Sequence, residues 1–241
     1  MSDRVRSPEQ AGSMREALPL ATKLLFGAPS FAGAAMVIPI AVHMTKFYAD
    51  VVLVPLGVLG LAIALARAFD ALTDPLVGWL SDRTRSRLGR RRPWMLVGGP
   101  LCGVAFWFLF SPPAHLGPDG GAAWFFACYV AYFLFHTFYL IPYVALGAEL
   151  SLDYHDRTSL FGIREGFVIA GTLFAAVLPS LLTDRLGERQ ALSAFAAGFG
   201  TLLALSYLLL VSRVRERPEF SRRPTNPFVP GVRRALRNRP F

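Results

Sequence analysis

"ARAFDALTDPLVGWLSDRTRSRLGRRRPW", residues 66–94, decides the fold. Its first half is a long apolar run that nevertheless holds Arg67, Asp70 and Asp74, and its second half is dense with arginine. A charge at the centre of a bilayer costs ~2.5–3.5 kcal/mol on insertion scales, so such groups face a cavity or pair up. An apolar run that tolerates three charges and ends in a basic loop reads as a membrane span with a functional interior.

The rest of the chain fits that reading. Of its 241 residues 54% are hydrophobic and only 17% charged, too few charges to coat a soluble globule. Apolar runs of the length needed to cross ~30 Å of hydrocarbon fall at about 20–45, 53–80, 94–111, 122–148, 159–182 and 191–212. The predicted fold class is an all-α transmembrane bundle of six helices. It spans residues 20–213, between a polar segment 1–19 and a basic, proline-punctuated segment 214–241 with a short surface helix near Val232–Arg239.

The net charge of +9 is not a nucleic-acid footprint, because the arginines alternate with the spans. The head (Arg4, Arg6, Arg15, Lys23), the second link and the tail after Val211 are basic, whereas the third link, "SPPAHLGPDGG", has no Lys or Arg. By the positive-inside bias this predicts a multi-pass protein of a cell (inner) membrane with both ends of the sequence in the cytoplasm. "MSDRVRSPEQAGSMRE" has no apolar core and does not read as a signal peptide. Cys102 and Cys128 lie inside spans and read as packing residues rather than a disulfide or metal pair. No cofactor is expected.

Helical spacing puts Arg67, Asp70, Asp74 and Gly78 on one stripe of span two, with Thr73 beside it. Two carboxylates one turn apart repel unless a cation or proton sits between them. Either Arg67 neutralises them in an internal ion pair, or Asp70 and Asp74, with Thr73, hold a coupling Na⁺ or H⁺; oxygen ligands suit a hard cation. In span four, Tyr129, Tyr132, His136, Tyr139 and Tyr143 share a face, which reads as packing or as the wall of a substrate cavity. Thr137 beside it is within reach of the carboxylates. Arg164, at the head of span five, is a candidate gate or solute contact, or a side chain anchored at the surface.

Gly78-Trp-Leu-Ser-Asp82-Arg83 followed by Gly89-Arg90-Arg91-Arg92-Pro93 resembles the loop signature of the major facilitator superfamily, with Gly78 read as permitting close helix packing. More specifically "FYADVV", residues 66–94, "IPYVALGAEL" and "DYHDRTSLFGIRE" are similar to the melibiose-permease-like glycoside–pentoside–hexuronide:cation symporters. The resemblance implies a twelve-span fold of which this sequence supplies the first six, built as inverted three-helix repeats. It also implies a partner in a C-terminal half, a cation site at Asp70, Asp74 and Thr137, and a cytoplasmic latch at the loop. Three departures stand out. Span one has no acid, Leu140 precedes Ile141-Pro142 where sugar-binding members have an aspartate, and Thr73 replaces an asparagine.

The expected function is therefore cation-coupled symport of a sugar or related small solute by alternating access. The partners are that solute, the cation and membrane lipid. The alternatives are a transporter of a lipid-like solute and a non-transporting membrane sensor or scaffold. A membrane enzyme is not expected, since Asp70 is followed by Ala71 and no D-G-x-x-A-R element is present.

Overall fold

The computed structural model describes residues 18–217. These are helical throughout, apart from short links and one isolated Ser86–Gly89 bridge. We label the six helices α1 (Leu20–Asp50), α2 (Leu56–Arg83), α3 (Arg92–Leu109), α4 (Pro118–Leu150), α5 (Tyr154–Leu186) and α6 (Glu188–Arg213). Five are long and apolar enough to cross a bilayer. The remaining helix, α3, is the shortest at 18 residues and opens on Arg92 and Pro93, yet at 1.5 Å per residue it still covers most of the hydrocarbon thickness. The protein is a multi-pass membrane protein.

Each apolar run forms one helix, and the helices mostly outrun the apolar segments because their polar first and last turns extend toward the membrane surface. Asp153 shows how: its side chain accepts a 2.9 Å hydrogen bond from the Asp156 amide and caps α5. Inside α1, Pro39 coincides with a wide π-helical turn, Pro39–His43, closed by the Met44 amide onto the Pro39 carbonyl. The expected surface helix near Val232–Arg239 and most of segments 1–19 and 214–241 lie outside the described residues.

Packing follows a pattern. α1 lies chiefly against α5, α2 against α4, and α3 against both α4 and α6, with α1 and α5 also meeting α6; the α5–α6 contact has no comparable α2–α3 counterpart. Exchanging α1–α3 with α4–α6 maps the α1–α5 pair onto α4–α2, the α3–α4 pair onto α6–α1, and α3–α6 onto itself. Three spans reverse the chain's direction, so this is the arrangement of two inverted three-helix repeats. At the centre of the α3–α6 contact, a Cβ on Gly200 would lie 2.6 Å from the Gly103 carbonyl oxygen, and one on Gly103 would strike the Gly200 carbonyl. The reciprocity is what a two-fold axis passing between the two glycines produces. Since lipid tails are as apolar as leucine, such close approach of small residues is what holds membrane helices together.

Gly78 is less constrained than its sequence context implies. A Cβ there would sit 3.7 Å from Ile141, an ordinary contact, so close packing among the described residues does not explain this glycine. Lys23, counted above only as a basic residue, is buried at the start of α1. It binds Asp156 (2.9 Å) and Ser159 (3.2 Å), tying α1 to α5. α2 and α5 are mostly exposed along their spans, while α1 and α6 are half-buried.

Candidate functional site

Thr137 on α4 points at α2. Its hydroxyl lies 2.8 Å from Asp74 Oδ1 and 3.2 Å from Asp70 Oδ1, so the two carboxylates converge on one oxygen in the α2–α4 seam. Arg67 does not lock them. Its nearest approach to Asp70 is 3.8 Å, beyond the ~2.7–2.9 Å of a charge-assisted hydrogen bond. Its side chain is 53% exposed, and its guanidinium rests 4.0 Å from the Phe133 ring centre. The Thr73 hydroxyl is buried and donates to the Asp70 backbone carbonyl at 3.1 Å. The structure thus brings Asp70, Asp74 and Thr137 together and turns Thr73 onto its own helix. Among the described residues no three His, Cys, Asp or Glu side chains gather as a metal cage. Two carboxylates beside one loosely held arginine leave about one negative charge to balance, which suits a monovalent cation.

On its next side α4 lines a cavity of about 300 Å³ enclosed by α1, α4, α5 and α6. His136, Tyr139, Tyr143 and Arg164 reach it, together with Ser30, Thr172 and Tyr207; the other lining residues are apolar. Tyr143 is braced, donating to the Phe26 carbonyl at 2.6 Å, accepting from Ser30 at 2.9 Å and stacking on Phe26. Arg164 contacts Glu165 at 2.5 Å and lies 5.8 Å from the Tyr143 ring centre. Tyr132 is not part of the wall. It is buried against Phe106 of α3, and its carbonyl accepts from Cys102.

The loop after α2 folds onto three carboxylates. Arg90 and Arg91 each donate to Glu149 Oε1 at 2.8 Å, and Arg91 reaches Asp82 at 3.2 Å. Burial pushes the Arg91 guanidinium below its ordinary range, an effect opposed chiefly by the adjacent Glu149 carboxylate. Glu216, beyond α6, accepts from the backbone amides of Arg90, Arg91 and Arg92 at 2.9, 2.8 and 2.9 Å, capping α3 with a negative charge. Gly89 has φ +115°, and a Cβ there would lie 2.7 Å from the Glu216 carboxylate. Arg92 donates to the carbonyls of Leu88 and Val211. Arg83 stays outside the network, stacked 4.2 Å from the Trp79 ring centre.

The family model described as MFS/sugar transport protein matches residues 25–241 of this chain. The chain belongs to that family. It is 36% identical to an uncharacterized symporter of Synechocystis, over 72% of this chain and 33% of the relative. It is 32% identical to the inner membrane symporter YicJ of Escherichia coli, over 81% of this chain and 42% of the relative. It is also similar, at 28% identity over 74% of its length and 34% of the relative, to the sodium-dependent lysophosphatidylcholine symporter 1 of Xenopus tropicalis. The chain spans about a third to two fifths of the length of these curated relatives. Within this transporter family, which is not one of enzymes, its bundle is the amino-terminal half of a major-facilitator fold. Glu149 and Glu216 are the members of the loop network that sequence reading missed. A lone acid closing an apolar run and an acid inside "VRERPE" were the signals available.

Proposed function

We propose that the protein is a secondary transporter that couples movement of a small solute to Na⁺ or H⁺ by alternating access. The carrying observation is the convergence of Asp70 and Asp74 on the Thr137 hydroxyl within the spans. An unoccupied carboxylate pair repels itself; a cation relieves that repulsion and supplies a binding energy that differs between conformations, which is what shifts a two-state equilibrium. α4 joins the two sites, since Thr137 faces the carboxylates while its neighbour His136 faces the 300 Å³ cavity. Solute and cation therefore act on one helix, and their coupling is reciprocal. The named symport activity of relatives supports the same reading. The arginine-rich links support an orientation with both ends of the bundle in the cytoplasm, and the Asp82–Arg91–Glu149 network would then serve as a latch toward the other half of the transporter.

For the solute, a sugar follows from the family and from the relative named as a putative glycoside/cation symporter. A second reading, an amphipathic solute with an anionic head, is favoured by one observation. The described cavity wall contains no carboxylate to grip sugar hydroxyls and presents Arg164 beside apolar residues of α1 and α5 such as Val37, Ile38 and Val168. Relatives named for lysophosphatidylcholine and sphingosine-1-phosphate transport support it. The test is uptake into proteoliposomes of the full-length transporter under an imposed Na⁺ or H⁺ gradient. Asp74→Asn abolishes gradient-driven accumulation while the protein still inserts; unchanged accumulation overturns the assignment.

A further inference from the structure

A second, larger cavity lies at the membrane face on which α2 ends and α3 begins. It encloses about 870 Å³ and is lined by Arg85, Arg87, Arg90, Arg92, Arg215 and Arg217, with Leu88 in its wall. Its one acid, Glu216, is engaged by three backbone amides. Arg90 is committed to Glu149, and Arg92 to backbone carbonyls. Among the described residues Arg85, Arg87, Arg215 and Arg217 have no acidic partner, so four guanidiniums share one concavity with nothing to balance them.

We propose that this cavity binds the phosphate of a membrane lipid headgroup. Guanidinium forks match phosphate oxygens in pairs, and basic pockets between helices at a membrane surface hold anionic headgroups. Three features point to a lipid rather than to free phosphate. Trp79 and Trp94 flank the loop, Trp94 donating to Thr84 at 2.8 Å, and tryptophan marks the headgroup level. Leu88 gives the cavity an exposed apolar wall that a bare anion does not use. Below Ser212 of the lining, exposed Leu209, Leu208 and Leu205 continue along α6 at one- and two-turn spacing, a track for an acyl chain.

The experiment compares lipid retention by the full-length protein in nanodiscs of phosphatidylcholine with and without phosphatidylglycerol, read by native mass spectrometry. The wild type retains phosphatidylglycerol over phosphatidylcholine by about tenfold or more. The joint variant Arg85→Gln, Arg87→Gln, Arg215→Gln, Arg217→Gln loses that preference, while Arg185→Gln, at the opposite end of α5, keeps it. Absence of a preference in the wild type overturns the proposal without reference to any variant's folding, and so does a preference that survives the joint variant. Inorganic pyrophosphate, added to phosphatidylcholine nanodiscs, distinguishes the sources. Stabilisation of the wild type against heat equal to that from phosphatidylglycerol overturns the lipid assignment in favour of a soluble phosphate.

Discussion

At the scale of single residues, the distances at Asp70 bear on the two readings that the sequence leaves open. Arg67 pairs with Asp70 only at 3.8 Å, longer than a charge-assisted hydrogen bond, with half its side chain exposed. The carboxylates are instead gathered by Thr137. Thr137→Val keeps the shape and removes the oxygen. It is expected to weaken cation binding by about tenfold, roughly 1.4 kcal/mol, with Thr137→Ser retaining most of the affinity; isothermal titration with Na⁺, or the proton dependence of solute binding, reads this out. Arg67→Gln, by contrast, removes the one nearby positive charge and is expected to raise cation affinity, in the same titration. The acids were legible in the sequence because charge in an apolar run is conspicuous. The orientation of Thr73 was not, since a hydroxyl at the right spacing also has a carbonyl of its own helix within reach.

At the scale of elements, the six apolar runs translate directly into six helices, because length and hydropathy dictate a span with no help from tertiary contacts. Which glycines matter is a different question. Gly78 attracts notice by its place in the loop signature, yet it faces ordinary space, whereas Gly103 and Gly200 sit backbone to backbone. Sequence distance hides that partnership, and only the crossing of α3 with α6 reveals it. Gly103→Val is therefore expected to destabilise the bundle by ~1–3 kcal/mol or to force the helices apart, measured as a lowered unfolding midpoint in detergent. Gly78→Ala should lie close to wild type in the same assay. The cap on α3 gives a second prediction. Glu216→Gln removes the charge from three amide donors and is expected to cost ~1–2 kcal/mol. Gly89→Ala adds a strained φ and a collision with the same carboxylate, so it is expected to cost more. Thermal unfolding of the pair of variants ranks the two effects.

For the whole molecule, α2 and α5 expose leucine and phenylalanine along their lengths, and the candidate solute cavity is bounded by one bundle. Residues 1–241 expressed alone are accordingly expected to insert in the membrane and to show no gradient-driven accumulation, because alternating access needs a second body to rock against. Coupled uptake by this segment would refute that. Topology has its own test. Single cysteines replacing Arg87 and His115 in a background lacking Cys102 and Cys128 should react with an impermeant reagent from opposite sides of the membrane. The inverted-repeat symmetry was available from the sequence only through the family resemblance, because the halves share most of a packing pattern and almost no residues.

The Thr137 hydroxyl has a single hydrogen and two carboxylate oxygens competing for it. A metal cation seated between those oxygens, as proposed, would require the threonine to swing that hydrogen elsewhere, so that its lone pairs face the ion, turning one side chain from giver to receiver. A proton in place of sodium would sit on a carboxylate and demand no such reversal. The direction of the Thr137 O–H, followed through its hydroxyl-proton NMR signal with and without sodium, would then report which ion the proposed site takes.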